Sequence, residues 1–340
     1  MLTKSEDRIH VITGGAGFIA INLAKALLAR GDRVVLVDNL SRGKREFVDK
    51  LAPASRVTFH EADVSVGAEL EAALGSVGEG PVDVWHFCAN SDIPAGVEDP
   101  NVDLKDTFLV THTLLSYMRQ RGWARINFAS TSAVYGDHGS RALSEDTFCQ
   151  PISNYGAMKL ASEAAIYAAA EFFLERANIF RFPNVVGVPA THGVILDFLH
   201  KLKKTPHQLE VLGNGTQRKA YLHVSDLLTA MLWIYEQPGG GATTYNIGPA
   251  DEGVTVTDIA QLTRDRAAPG AALKFGTQDR GWIGDVPRFH YDIGKLERAG
   301  WTPRMSSREA IARAIVEISQ QELGDASATL ALDTVACDKR

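Results

Sequence analysis

Short runs of β-branched residues alternate with longer, helix-like patterns through the first half of the chain. Such alternation predicts parallel strands with helices on both faces, because each crossover helix returns the chain to the same edge of the sheet. We therefore expect an α/β fold built on a doubly wound parallel sheet. The predicted strands are 9–13, 33–37, 56–60, 83–88, 126–130 and 178–182.

The pattern changes after Asn184, where short strands, less regular helices and the glycine-rich turn 238–241 replace the regular alternation. Clusters of glycine and proline of this kind mark turns. We predict a first domain over residues 1–184 and a smaller C-terminal α+β domain over 185–323, from which some segments return to the first domain. Residues 324–340 lack periodicity, and we expect them to form a flexible tail.

Charge and hydrophobicity exclude several classes of partner. The 340 residues include 35 Lys and Arg against 41 Asp and Glu, a net charge of -6. This balance provides no cationic surface for a phosphate backbone or an anionic membrane, so we expect no nucleic-acid partner. No stretch approaches the roughly 18 apolar residues of a membrane span, so we expect no membrane association.

The three cysteines, Cys88, Cys149 and Cys337, form no Cys-x-x-Cys pair, and the ten histidines show no metal-ligand spacing. We therefore expect neither a disulfide framework nor a metal site. An odd number of cysteines fits a reducing compartment, and the N-terminal residues do not read as a signal peptide. The prediction is a cytoplasmic protein.

A glycine-rich turn directly follows the first predicted strand. Gly14 and Gly17 separate that strand from an amphipathic segment that begins at Phe18 and Ile19. Glycine lets the backbone turn tightly and approach a pyrophosphate, whose charge is stabilised by the free N–H groups of the helix N-terminus. A turn without any ligand is the alternative. The position of the turn favours a Rossmann-type, dinucleotide-binding domain.

Acidic residues follow the next two predicted strands. Asp38 lies about 20 residues beyond the glycines, where a carboxylate can accept hydrogen bonds from the adenosine ribose and so favours NAD over NADP. Arg42 and Lys44 could instead bind a 2'-phosphate or remain solvated. Asp63, next to Val64, could meet the adenine edge or cap a helix.

Tyr155 and Lys159 are four residues apart and share one face of a predicted helix. An unperturbed tyrosine has a pKa near 10 and becomes a base at neutral pH only when positive charge stabilises its phenolate. Lys159 and an oxidised nicotinamide could supply that charge, so that Tyr155 takes a hydroxyl proton while hydride leaves the same carbon. A surface pair without chemistry is the alternative.

Together these motifs resemble the extended short-chain dehydrogenase/reductase family over about residues 8–322. The resemblance is to its nucleotide-sugar epimerases and dehydratases, typified by UDP-galactose 4-epimerase. The motifs are Gly14-x-x-Gly17-Phe18-Ile19, Asp38-Asn39-Leu40, Ser130-Thr131-Ser132-Ala133-Val134-Tyr135-Gly136, Tyr155-x-x-x-Lys159 and Arg181-Phe182-Pro183-Asn184-Val185-Val186-Gly187.

The resemblance implies NAD as the cofactor and a nucleotide-diphosphate sugar as the substrate, bound by the domain at 185–323. It places Thr131 at the family's catalytic Ser/Thr position beside Tyr155 and Lys159, and it places Thr107 where relatives carry an asparagine near the nicotinamide. The implied cofactor-binding residues are Gly14, Gly17, Phe18, Ile19, Asp38, Asn39, Asp63, Val64, Tyr155 and Lys159. The implied substrate-binding residues are Ser132, Asn184, Arg218 or Lys219, and Arg280.

The residues after Thr131 separate the reactions of this family. The resemblance implies that 4,6-dehydratases carry Asp-Glu there, whereas this chain has Ser132 and Ala133, and neither can perform that acid/base work. A 4-epimerase needs only the tyrosine and the hydroxyl, so we predict an NAD-dependent nucleotide-sugar 4-epimerase. A dehydratase or ketoreductase is the enzymatic alternative, and a catalytically silent dinucleotide-binding regulatory protein is the other.

The helices predicted around 103–119 and 155–171 carry more Ala, Leu, Met and Phe than one sheet face requires. Pairing across a twofold axis would bury the surplus. Relatives of this fold commonly dimerise through these two helices. We therefore expect a homodimer.

Overall fold

The computed structural model describes residues 8–78, 81–278 and 290–323. The strands are β1 (Ile9–Thr13), β2 (Arg33–Asp38), β3 (Val57–Glu61), β4 (Val82–His86), β5 (Arg125–Thr131), β6 (Ala142–Leu143), β7 (Arg176–Phe182), β8 (Asn184–Val186), β9 (Gln208–Val211), β10 (Arg218–Lys219), β11 (Tyr221–His223), β12 (Gly241–Asn246), β13 (Val254–Thr255), β14 (Ala272–Phe275) and β15 (His290–Tyr291).

The α-helices are α1 (Phe18–Ala29), α2 (Arg45–Val48), α3 (Gly67–Leu74), α4 (Ile93–Glu98), α5 (Pro100–Asp103), α6 (Val110–Arg121), α7 (Asn154–Ala170), α8 (Val194–Lys204), α9 (Val224–Glu236), α10 (Val256–Ala267), α11 (Gly294–Ala299) and α12 (Ser307–Glu322). The described residues also form two short 3-10 turns and one wider π-helical turn. These turns are Ala54–Arg56, Ser132–Val134 and Leu104–Leu109.

Seven strands form the central sheet in the order β12-β7-β5-β4-β1-β2-β3. The pairs from β7 through to β3 are parallel. The predicted Rossmann-type sheet is confirmed, and all six predicted strands are present with small shifts at their ends. The strand order reverses at β1, which lies between β2 and β4, and ligands of such sheets bind at the carboxyl ends of the strands beside this reversal.

Strands β1 and β4 are buried along their whole length, as expected for parallel strands covered on both faces. On one face, Val11 and Val84 pack in a core with Leu70 of α3 and Leu114 and Met118 of α6. A rigid, fully buried sheet fixes where each strand ends. The loops at its carboxyl edge therefore start from defined positions.

The described chain divides into two compact units. The first contains the residues up to 137, together with 147–182 and 235–245. The second contains 138–146, 183–234 and the described residues from 246 onward, and its core includes Phe198, Ile259 and Ile311. The predicted domain limits stay predictions, and the tail at 324–340 lies outside the described residues.

Within residues 8–78, 81–278 and 290–323, no helix combines the length and the apolar character needed to cross a bilayer. The same residues contain no group of three or more His, Cys, Asp or Glu side chains that could hold a metal ion. Cys88 and Cys149 are free thiols, and Cys337 lies outside the described residues.

Candidate active site

The glycine turn connects β1 to α1 at the carboxyl edge of the sheet. Gly14 has a φ of +69°, a conformation that residues with a Cβ rarely adopt. A Cβ on Gly14 would lie 2.9 Å from backbone atoms of Phe87 and Cys88, and one on Gly15 would lie 2.7 Å from the Cβ of Leu36. The turn is therefore packed against the chain at β2 and just after β4, with space only for glycine.

Helix α1 begins at Phe18, and its N-cap residue Gly17 provides no side-chain hydrogen bond. The first N–H groups of a helix have no partner within the helix, so those of α1 are left for a ligand or solvent. Phe18 and Ile19 are partly exposed at this end. Free N–H groups together with the positive end of the helix dipole make an anion site.

Asp38 is the last residue of β2 and is buried. Its Oδ2 accepts a hydrogen bond from the backbone N–H of Ala16 at 3.0 Å, and its Oδ1 accepts one from Leu40 at 2.8 Å. Burial raises the pKa of the Asp38 carboxyl, and these two N–H groups oppose the rise. The neighbouring Asn39 is exposed, and its Oδ1 accepts from the N–H of Ser41 at 3.1 Å. The structure thus ties an acidic group to the glycine turn.

Asp63 follows β3 and is engaged within the protein. Its Oδ1 accepts from the N–H and the hydroxyl of Ser65 at 2.9 and 2.7 Å, and its Oδ2 lies 3.0 Å from Nζ of Lys105. Burial alone would raise the pKa of Asp63, but the Ser65 hydrogen bonds and the Lys105 ammonium outweigh it and lower the pKa. The next residue, Val64, is buried. An adenine contact by either residue stays a prediction.

The structure brings Thr131 and Tyr155 together. Thr131 ends β5 and is the N-cap of the 3-10 turn that begins at Ser132. Its Oγ1 accepts a hydrogen bond from the N–H of Ala133 at 3.2 Å. Tyr155 is in the first turn of α7, whose N-cap Ser153 accepts from the N–H of Gly156 at 3.1 Å. The Thr131 side chain lies near the Tyr155 hydroxyl and acts to lower its pKa, against the effect of burial. Two hydroxyl groups therefore meet where β5 ends and α7 begins.

Burial raises the pKa of Tyr155 to about 12; the Thr131 hydrogen bond opposes this rise, and the Asp103 carboxylate adds to it. Lys159 lies on the same face of α7, but its Nζ donates to the backbone oxygen of Ala129 at 2.7 Å and lies 4.6 Å from the centre of the Phe128 ring. Burial lowers the pKa of Lys159 to about 8. In this arrangement the tyrosine holds its proton at neutral pH.

Asp103 is a buried acidic residue that sequence reasoning missed. Its Oδ1 accepts from Nδ2 of Asn90 at 2.9 Å and from Oγ1 of Thr107 at 3.4 Å. Among the described residues, its Oδ2 has no hydrogen-bond partner. Burial raises the pKa of this carboxyl. Thr107 is fully buried and also accepts from the N–H of Asn90. No local sequence signal places these three side chains together.

A buried ion pair beside the site was also missed. Glu163 accepts hydrogen bonds from Nε and Nη2 of Arg181 at 3.0 and 2.6 Å, and it accepts a further one from the Ser130 hydroxyl. Arg181 also donates to the Tyr135 hydroxyl at 3.1 Å. The pair joins α7 to β5 and β7 next to Thr131. The available signal was spacing, since Glu163 lies four residues beyond Lys159 on the same helix face.

The predicted substrate-binding residues other than Ser132 lie in the second unit or outside the described residues. Asn184 is exposed and begins β8, in register with Tyr221 of β11. Arg218 and Lys219 form β10 and are partly exposed, and Nη1 of Arg218 donates to the backbone oxygen of Gly253 at 2.8 Å. Arg280 lies outside the described residues.

Comparison with known proteins decides the family. A family model described as "NAD dependent epimerase/dehydratase family" matches residues 10–248, which is more than half of the chain. The chain belongs to the NAD dependent epimerase/dehydratase family. The resemblance drawn from the sequence motifs is confirmed.

Members of this family with different reactions are similar to this chain. It is 32% identical to a UDP-glucose 4-epimerase of Corynebacterium glutamicum, over 75% of this chain and 79% of that protein. A crystal structure of UDP-galactose 4-epimerase is 35% identical with a TM-score of 0.79, over 92% and 99% of the two chains. DesIV, a dTDP-glucose 4,6-dehydratase from Streptomyces venezuelae solved with NAD and TYD, is 25% identical with a TM-score of 0.81, over 94% and 99%.

The residues of this family member fit NAD. The glycine turn admits no Cβ at Gly14, the N–H groups of α1 are free of a side-chain cap at Gly17, and Asp38 lies beside the turn. A pyrophosphate needs the first two features, and an adenosine ribose needs an acceptor at the end of the second strand. The cofactor is therefore NAD. Because the family fold serves both epimerases and dehydratases, the reaction depends on the side chains at the site.

Proposed function

We propose that the protein is an NAD-dependent isomerase that epimerises a nucleotide-diphosphate sugar at C4 through a transient 4-keto intermediate. The observation that carries the proposal is that Thr131, at the end of β5, lies beside Tyr155, in the first turn of α7. Thr131 is followed by Ser132 and Ala133, where dehydration would need an acid and a base. The similarity to proteins named UDP-glucose and UDP-galactose 4-epimerase supports it.

In the proposed reaction, Tyr155 accepts the proton of the C4 hydroxyl as general base and later returns it as general acid. When bound, NAD supplies the acceptor for the C4 hydride and gives the same hydride back. Thr131 hydrogen-bonds the same substrate oxygen. Because the pKa of Tyr155 is about 12, positive charge must stabilise its phenolate. We assign this role to Lys159, whose side chain exchanges its Ala129 contact for the tyrosine and the cofactor.

The proposed cofactor-binding and substrate-binding residues offer different groups. Backbone N–H groups and acceptors suit the cofactor, and charged, amide or hydroxyl groups suit the nucleotide-diphosphate sugar. The proposed NAD-binding residues are Gly14, Gly17, Phe18, Ile19, Asp38, Asn39, Asp63, Val64, Tyr155 and Lys159. The proposed substrate-binding residues are Ser132, Asn184, Arg218, Lys219 and Arg280.

The fate of the C4 hydrogen tests the reaction class. We expect UDP-glucose deuterated at C4 to give an epimer of unchanged mass that keeps its deuterium at C4 in ordinary water, because the same hydride leaves and returns. Mass spectrometry and NMR of the product measure both properties. A 4,6-dehydratase would carry the label to C6 and lose water, lowering the mass by about 18 Da. Label at C6, or an accumulating ketosugar, would overturn the proposal, and the Tyr155→Phe protein is the control for uncatalysed change.

We further propose a homodimer that pairs through the helical segments at 100–121 and 154–170. Leu104 and Leu109 are 43% and 38% exposed on the first of them, which leaves apolar surface to be covered. Light scattering should give about 74 kDa, twice the 36.9 kDa of the chain. Leu109→Glu should give a monomer, whereas Leu212→Glu, at an exposed leucine of the second unit, should not. A monomeric wild type at all concentrations would contradict the proposal.

We also propose a cytoplasmic location. Cys88 and Cys149 are free, as thiols are in a reducing compartment. Burial raises the pKa of Cys88 to about 12, so this thiol is unreactive at neutral pH.

A further inference from the structure

The loop after β2 is packed against the glycine turn. The N–H of Lys44 donates to the backbone oxygen of Ala16 at 3.3 Å. A Cβ on Gly43 would lie 2.7 Å from the Cβ of Ala16 and 2.9 Å from Oδ1 of Asp38. The backbone at residue 43 therefore touches both the turn and the acidic group proposed to hold the ribose. The preceding residue, Arg42, is anchored beside that site.

The guanidinium of Arg42 is paired with Asp92. Nη2 of Arg42 lies 2.6 Å from Oδ2 of Asp92, and the two side chains are 48% and 38% exposed. Asp92 belongs to the segment after β4, on the other side of β1 from the loop that carries Arg42. At the edge, Thr13 of β1 is in register with Val37 of β2 and His86 of β4. The ion pair thus connects the two loops that flank the glycine turn.

This pairing bears on which dinucleotide the site accepts. NADP differs from NAD by a 2'-phosphate on the adenosine ribose, and a planar guanidinium is well suited to bind phosphate with two hydrogen bonds. Arg42 is the arginine of this loop, but its charge is balanced by Asp92. Lys44, the other cation of the loop, has its Nζ 3.9 Å from Glu46 on the surface. The ribose site is left to the carboxylate of Asp38, which repels a phosphate.

We propose that Asp92 is a specificity-determining residue, because its ion pair with Arg42 withholds from the ribose site the cation that would recognise the 2'-phosphate of NADP. This inference rests on the NAD-binding part of the proposed function and is independent of the sugar chemistry. It identifies a role for a residue that lies 54 positions from Asp38 in the sequence.

The substitution Asp92→Asn tests the proposal without disturbing the local fold. Oδ1 of Asp92 also accepts from the N–H of Ala95 at 3.2 Å as the N-cap of α4, and asparagine is an equally good N-cap residue. Calorimetric titration with NAD and with NADP gives the two dissociation constants. We expect the variant to bind NADP about fivefold more tightly than wild type, the equivalent of one exposed ion pair, with NAD binding changed by less than about twofold.

Two further proteins show whether Arg42 carries the effect. In the double variant Asp92→Asn/Arg42→Gln the gain in NADP affinity should disappear, because the released cation is no longer present. Asp49→Asn is the matched control, since it removes the same charge from an exposed ion pair with Arg45 at 2.9 Å on the adjacent helix α2. It should leave the ratio of NADP to NAD affinity unchanged.

Three results would overturn the proposal: an unchanged affinity ratio in Asp92→Asn, a gain that persists in the double variant, or an equal gain in Asp49→Asn. Failure of the proposed 4-epimerase reaction would appear differently. It would change the fate of the C4 label while leaving these binding ratios as expected.

Discussion

Tyr155→Phe is expected to lower turnover by about a thousandfold, within the range that a positioned general acid or base contributes. The substitution keeps the ring and removes only the hydroxyl that lies near Thr131. The glycine turn and Asp38 are untouched, so the variant should still bind NAD. Steady-state kinetics with UDP-glucose and the absorbance of bound cofactor measure the two properties.

Tyr167→Phe is the matched control for this prediction. It makes the same chemical change on the same helix, where the Tyr167 hydroxyl is bonded to Thr244 at 2.8 Å, and it should leave turnover close to wild type. Because the pKa of Tyr155 is raised to about 12, the fraction of its base form increases with pH, so wild-type turnover should rise from about pH 6 to pH 8. The rise should end there, because Lys159, whose pKa burial lowers to about 8, then loses the charge assigned to stabilise the phenolate. Near-normal turnover of Tyr155→Phe would remove this residue from the mechanism.

Glu163→Gln is expected to lower the free energy of unfolding by about 3 kcal/mol or more, the cost of leaving one charge of a buried pair without its partner. The side chains of Arg181 and Glu163 are only 7% and 2% exposed, so solvent cannot replace the lost carboxylate. Urea denaturation at a fixed NAD concentration measures the change, since bound cofactor adds its own stabilisation.

The double variant Glu163→Gln/Arg181→Met should recover part of this loss, because it also removes the unbalanced charge. Asp49→Asn breaks an exposed pair and should cost less than about 1 kcal/mol. A loss in Glu163→Gln no larger than that of Asp49→Asn would show that the buried pair does not stabilise the protein.

The elements of the first unit could be predicted because their signals are local. Each strand of the sheet is a short apolar run between turn residues, and Gly14, Gly17 and Asp38 have a fixed order relative to the first two strands. The end of β4 was less predictable. The sequence favours a strand as far as Cys88, but the strand ends at His86, after which the backbone at Phe87 and Cys88 packs against Gly14. That contact joins residues more than 70 positions apart.

By itself, the sequence determined the fold class, the family, and the placement of Thr131 at a strand end and Tyr155 at a helix start, because periodicity and motif spacing act over a few residues. Only the tertiary structure decided the partner of each charge. Arg42 follows β2 and Asp92 follows β4, and these two strands lie on either side of β1 in the sheet. The two loops are therefore close enough in space for the ion pair to form. The ammonium of Lys159 donates to the backbone oxygen of Ala129, and the carboxylate of Asp103 raises the pKa of Tyr155. Neither interaction follows from the sequence, because burial and electrostatic interaction depend on every neighbour in space rather than on neighbours along the chain.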